Sequence, residues 1–129
     1  MAEPDSNRPE RISDAEYAVM EKLWAQSPLS ATDVADEVGE ERGWSLATVK
    51  TLLSRLVAKN VVATEPDGRR FLYRPLLDRD AYVGGESRRL VERLFNGRAA
   101  PLFAQLAEAE ALSDEDIAEI EALLKELKQ

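Results

Sequence analysis

Two groups of side chains in this sequence have the types and spacing to bind a polyanion. Val49, Leu52, Leu53, Leu56 and Val57 recur at helical spacing, which turns Ser45, Thr48, Lys50, Thr51, Arg55 and Lys59 outward. A helix face of short hydroxyls and cations can hydrogen-bond base edges in a major groove, where arginine and lysine match guanine. Just beyond it, Arg69 and Arg70 stand at Pro66-Asp67-Gly68-Arg69, a turn between two β-rich runs over residues 61–65 and 70–74. Its proline presets φ and its glycine permits positive φ, so the segment reads as a hairpin with arginines at its tip. Such arginines reach backbone or minor groove.

The elements that would hold these groups are a long amphipathic helix and the hairpin after it, the composition of a winged helix-turn-helix. Charge partition supports that reading. Residues 44–77 hold six Lys or Arg (Lys50, Arg55, Lys59, Arg69, Arg70, Arg74) against Glu65 and Asp67, net +4, whereas the whole chain stands at −8. The remainder therefore carries −12, and one basic island in an acidic chain is the footprint a nucleic acid needs, because association responds to the local field.

At 129 residues the chain is one domain with an appendage, or two small units. Its 44% hydrophobic and 33% charged residues make a soluble globular composition, and a cytoplasmic location is expected from the lack of any membrane-length apolar run or signal-peptide core. The chain has no Cys and no His, which removes disulfides, thiolate chemistry, the usual zinc sites and the commonest general base near neutral pH. No nucleophile-elbow, P-loop or dinucleotide-binding glycine pattern appears either. The expectation is a protein that is not an enzyme and has no cofactor, metal or catalytic residue.

Taken in order, residues 1–10 are polar, carry Pro4 and Pro9, and read as a disordered tail. Ser13-Asp14-Ala15-Glu16 is a capping-box signature that opens a first helix, with Val19, Met20, Leu23 and Trp24 as its apolar stripe, ending near Ser27-Pro28. Residues 29–32 form a short extended link, a candidate third strand for the wing. A second helix over residues 31–38 keeps Val34, Ala35 and Val38 inward and Asp33, Asp36 and Glu37 outward, where phosphate would repel it. Residues 39–43 read as a turn. Ser45 is the expected N-cap of the third helix and Asn60 its C-cap; Trp44 reads as a lid on the core or as a phosphate contact through its indole N–H.

After Pro75 the composition becomes that of an all-helical tail, setting a boundary between a domain over residues 11–77 and another over 78–129. A helix over 78–95 is expected to be weakened near its start by Gly84-Gly85, either as a hinge or to permit close packing. A short helix over 99–107 follows, and Ser113 caps a last one that has Asp114, Glu115 and Asp116 in its first turn. Leu90, Leu94, Phe95, Leu102, Phe103, Leu106, Ile117, Ile120 and Leu124 are the apolar positions of this tail expected to serve dimerisation. Three helices in some fifty residues are too few to cover these faces alone, so pairing with a second copy is expected.

An ordered set of motifs carries a family resemblance. Ile12-Ser13-x-Ala15-Glu16, Val19-Met20-x-x-Leu23-Trp24, Trp44-Ser45-x-x-Thr48-Val49-x-Thr51-Leu52-Leu53-x-Arg55-Leu56-x-x-Lys59 and Arg70-x-x-Tyr73 together resemble the penicillinase-repressor family, BlaI/MecI. Tyr82, Phe95-Asn96-Gly97 and Leu112-Ser113-x-Glu115-x-Ile117 continue the match, which covers nearly the whole chain from Ile12. The resemblance implies a mainly α fold with a small β-wing: a winged helix-turn-helix followed by a helical dimerisation region. It also implies a homodimeric repressor on pseudo-palindromic operators of β-lactam resistance or related genes. By position it assigns DNA contacts to Thr48, Lys50, Thr51 and Arg55, with the wing at Arg69 and Arg70.

Copper-responsive relatives carry clustered cysteines near the C-terminus, and this chain has none. Antibiotic-responsive members resemble substrates of a sensor protease that cuts within the dimerisation part, in some at an Asn–Phe bond. Alignment puts that bond at Gln105-Leu106 here, where both residues depart from the pattern. Two other readings stay open: a ligand-responsive winged-helix regulator, and a protein-interaction winged helix whose basic face meets an acidic partner.

Overall fold

The computed structural model describes residues 11–129, so the tail expected over residues 1–10 lies outside the described residues. Helix α1 spans Asp14–Ala25 and starts at the expected capping box: Ser13 Oγ accepts from the Glu16 amide at 3.1 Å while Glu16 Oε1 accepts from the Ser13 amide at 2.8 Å. Strand β1, Leu29–Ser30, follows as the short third strand. Helix α2, Ala31–Arg42, begins with a second capping box, in which Ser30 and Asp33 satisfy each other's amides at 3.1 Å. Asp33 is thereby tied into the helix start rather than simply solvated, and its carboxyl is held below the usual range by the Ser30 amide.

α2 is a turn longer than its apolar pattern predicts. The expected turn over 39–43 is helical as far as Arg42, and the stop is Gly43, whose N–H still donates to the Gly39 carbonyl at 2.7 Å while its φ of 70° turns the following chain out of the helix. Gly39 itself serves packing, since a Cβ there would sit 3.3 Å from the backbone oxygen of Trp44. Helix α3, Leu46–Ala58, starts at Ser45, and Asn60 adopts the left-handed φ of 63° that ends it.

Strands β2, Val62–Asp67, and β3, Arg70–Pro75, form the hairpin, and the sheet order is β1-β3-β2 with both pairings antiparallel. The turn is tighter than expected. Asp67 pairs with Arg70, leaving Gly68 and Arg69 as the two-residue loop, with φ 65° at Gly68. Pro66 thus lies in β2 opposite Phe71, which a strand at the sheet edge tolerates because one side of it makes no ladder bonds.

Val19, Met20 and Leu23 of α1, Val34 and Val38 of α2, Val49, Leu53 and Leu56 of α3, and Val61 and Val62 entering β2 form the buried core. Trp24 closes one side of it: the ring meets Tyr17 edge-on at 5.7 Å and its Nε1 donates to the Leu77 carbonyl at 2.7 Å. Tyr82 stacks near both rings, at 6.0 and 6.1 Å. Arg79 reaches Glu21, which also accepts from the Tyr17 hydroxyl and raises that group's pKa.

The chain divides into two units, Met1–Tyr82 and Val83–Gln129. Helix α4, Arg79–Phe95, crosses the division one turn after its start, and its first turn belongs to the first unit through the Tyr82 and Arg79 contacts. α4 runs unbroken through Gly84 and Gly85, and a Cβ at either would meet nothing within 4 Å. Asn96 and Gly97, both at positive φ, end it, with the Gly97 amide donating to the Val91 carbonyl at 3.0 Å. Helix α5 spans Ala99–Glu108 and α6 spans Asp114–Leu127, the latter capped by a third box between Ser113 and Asp116. No residue of α4, α5 or α6 is buried, and the three helices scarcely touch one another.

Candidate nucleic-acid interface

The exposed face of α3 and the tip of the hairpin hold the side chains that could meet DNA. α3 presents Thr48, Lys50, Thr51, Ser54 and Arg55 to solvent, while Val49, Leu52, Leu53 and Leu56 anchor the opposite face in the core. The hydroxyls are partly engaged. Ser45 Oγ caps the helix by accepting from the Thr48 amide at 3.2 Å and donates to Thr48 Oγ1 at 3.2 Å, and Thr51 Oγ1 donates to the Ala47 carbonyl at 3.1 Å. With their protons committed, Ser45 and Thr51 offer acceptor oxygens, whereas Lys50 and Arg55 offer the donors that guanine takes.

Lys59 is placed otherwise than its periodicity predicts. It is 22% exposed, and its ammonium donates to Glu16 Oε1 at 2.7 Å and to the Arg11 carbonyl at 3.0 Å. The cause is tertiary, because the end of α3 lies over the first turn of α1, where a 2% exposed carboxylate waits. This lysine belongs to the fold, not to the presented charge. At the hairpin tip Arg69 and Arg70 are both exposed, and Arg70 Nε is held at 3.0 Å by Asp67. Trp44 resolves toward its lid role, packing against the core with the Arg42 guanidinium 5.2 Å above its ring.

Beside this face a solvent-open cleft of about 240 Å³ separates α3 from the hairpin, lined by Ser54, Val57, Thr64, Phe71 and Tyr73. Sequence reasoning gave none of these residues a binding role, using Val57 only as a core position and Tyr73 only in the family motif, although Ser54 lies one turn beyond Lys50 on the same strip of helix and so was within reach of the periodicity.

In the second unit, Leu94, Phe103, Ile117 and Leu124 are exposed, and Leu90, Phe95, Leu102, Leu106 and Ile120 are half-buried. Gln105 and Leu106 lie within α5, with their carbonyls accepting from the amides of Ala109 and Ala111 at 3.0 and 2.9 Å. Among the described residues no His, Cys, Asp or Glu cluster could hold a metal ion, and no helix is long and apolar enough to cross a membrane.

A three-helix core with an antiparallel wing, whose third helix is polar and cationic on its outer face, defines a winged-helix protein of the DNA-binding kind. The penicillinase repressor family model matches residues 12–126, and the chain belongs to that family, one of repressors rather than enzymes. It is 33% identical over 118 residues to the penicillinase repressor of Bacillus licheniformis, covering 92% of both chains. The methicillin resistance regulatory protein MecI of Mammaliicoccus sciuri is 29% identical over 118 residues, 92% of this chain and 96% of that one. The solution structure of monomeric B. licheniformis BlaI in complex with the blaP half-operator is 35% identical, covers 58% of this chain and 92% of its own, and superposes with a TM-score of 0.51.

Proposed function

We propose that the protein is a homodimeric transcriptional repressor that occupies pseudo-palindromic operators of β-lactam resistance or related genes, with α3 in the major groove and the hairpin on the flanking backbone or minor groove. Ser45, Thr48, Lys50, Thr51 and Arg55 make the contacts from the helix, and Arg69 and Arg70 those from the wing. The observation that carries this reading is the two-sided character of α3, apolar where it meets α1 and α2 and lined on its free side by Thr48, Lys50, Thr51 and Arg55. The half-operator complex of a relative with 35% identity supports the same use of the domain. A repressor acting on the genome works in the cytoplasm.

Pairing of two copies rests on the second unit. Helices without a single buried residue and with Leu94, Ile117, Leu123, Leu124 and Leu127 exposed have no core of their own, and a second copy supplies one. Two winged helices then meet half-sites about one turn of DNA apart, roughly 34–36 Å. Relief is proposed to come from a sensor protease cutting at Gln105-Leu106, which would sever α6 from the winged helix and abolish bivalent binding. Because that bond is helical, cleavage requires the last turn of α5 to open first.

Fluorescence anisotropy with the DNA upstream of the protein's own gene, compared with shuffled DNA across a salt series, tests the repressor reading. Sequence-selective binding with a log–log salt slope of about −0.9 per phosphate contact is expected. Binding indifferent to sequence, unaffected by neutralising Lys50 and Arg55, would falsify it in favour of an acidic protein partner.

A further inference from the structure

The cleft between α3 and the hairpin has a lining of its own chemistry. Ser54 and Val57 come from α3, and Thr64, Phe71 and Tyr73 from the wing. Thr64 pairs with Tyr73 across β2 and β3, and Phe71, two residues away on β3, points to the same face of the sheet. Three hydroxyl-bearing residues thus share the cleft with one apolar ring, and that ring is 53% exposed, although a phenylalanine on a small domain is ordinarily covered. Lys50 stands one turn before Ser54 on the same strip of α3, and Arg69 and Arg70 stand at the tip of the hairpin whose strands supply Thr64, Phe71 and Tyr73, so both elements that line the cleft also carry cations.

In duplex DNA a single sugar–phosphate strand separates a major groove from its neighbouring minor groove. A protein with a helix in the one and a hairpin over the other must straddle that strand, and the straddling gap here is this cleft. We propose that the cleft is a cradle for the DNA backbone, in which Ser54, Thr64 and Tyr73 donate hydrogen bonds to phosphate oxygens and Phe71 packs against a deoxyribose. Serine, threonine and tyrosine are common phosphate donors, and such contacts set register without reading sequence. The assignment rests on the repressor reading and adds four residues to it. Its occupant is a DNA strand because the cleft lies between the cation-bearing face of α3 and the arginine-tipped hairpin and because its lining offers hydroxyl donors and no carboxylate.

Neutral donors leave a signature that cations do not. Replacing Lys or Arg changes the number of counterions released and therefore the salt slope, whereas replacing a hydroxyl lowers affinity at every salt concentration and leaves the slope alone. The test measures anisotropy of the full chain and of Ser54→Ala, Thr64→Val, Phe71→Ala and Tyr73→Phe variants, each on the duplex upstream of its own gene and on a shuffled duplex, across a salt series. Each substitution is expected to weaken both duplexes by the same factor, about 3–10-fold, with unchanged slope. Thermal unfolding serves as the control, and the exposed Ser54, Thr64 and Phe71 should leave it unmoved. Unaltered binding by all four variants, or a changed preference between duplexes, overturns the cradle while the repressor reading stands. An unsubstituted chain without selectivity for its own upstream DNA overturns both.

Discussion

Lys59 Nζ lies 2.7 Å from Glu16 Oε1, the oxygen that also accepts from the Ser13 amide, so one carboxylate starts α1 and fastens the end of α3. Burial pushes the Glu16 pKa up, but the hydrogen bonds from Lys59 and the Ser13 amide, with the lysine charge, outweigh it and hold the group below its ordinary 4.5. A depressed folded value means that the pair's contribution is fully present above that ordinary value and is lost as pH falls through the folded one. Glu16→Gln should lower the urea midpoint at neutral pH, a loss of about 1–2 kcal/mol, and flatten the acid limb of a midpoint-against-pH curve. Lys59→Met, which strands the buried carboxylate, should cost more, about 2–3 kcal/mol. An acid limb unchanged in Glu16→Gln would assign acid sensitivity to other carboxylates.

At the wing, Asp67 holds Arg70 at 3.0 Å and offsets half of the paired charge at the tip. Asp67→Asn should strengthen DNA binding by about 3–10-fold at low salt and steepen the salt slope by up to about 0.9, because Arg70 is released to a phosphate. Stability should move by less than about 1 kcal/mol, since both partners are exposed. A weaker complex would mean that the ion pair shapes the turn for docking.

The glycines inside α4 and the glycine that ends α2 should answer oppositely to alanine. Gly84 and Gly85 sit inside α4 with open space around them, so each Gly→Ala change should stabilise the helix by about 0.5–1 kcal/mol, read from circular dichroism melts. Gly43, at φ 70°, should lose about 1 kcal/mol or more when a Cβ is added. If Gly84→Ala instead lowers the melting temperature in a concentration-dependent way, the glycines lie against the partner copy.

A charge on the last helix should separate the copies. Leu124 is exposed within one chain, so Leu124→Lys has little to disturb there, yet in the dimer it would bury a cation among leucines. Sedimentation is expected to report a dimer for the native chain and a monomer for the variant, with operator affinity falling by 10²-fold or more as bivalency is lost. A native chain that sediments as a monomer at micromolar concentration would sink the pairing.

How far the sequence reaches can be judged element by element. Local rules were legible: Ser13, Ser45 and Ser113 cap the helices they were expected to cap, Asn60 takes the left-handed turn after α3, and the link after Pro28 supplies the third strand. These features depend on residues three or four apart, and the apolar stripe of α3 likewise follows from its own periodicity. The length of α2 was not legible, because Gly39 reads as a breaker until one sees Trp44's backbone against it, leaving Gly43 to do the stopping. Nor was Pro66's place in a strand, which depends on β2 lying at the sheet edge.

By itself the sequence determined where the helices start and, α2 apart, where they stop, which face of α3 is apolar, and that the tail's helices carry more apolar surface than they can cover alone. Tertiary structure decided which cations remain on display. Lys59 and Arg55 are indistinguishable by type and spacing, yet Lys59 is turned inward by a carboxylate 43 residues earlier in the chain, a partner that no local rule can supply. The cleft between α3 and the wing has the same origin. Its residues come from a helix and two strands whose separation is set by how a shared core packs, and packing over such distances leaves no local periodicity to read.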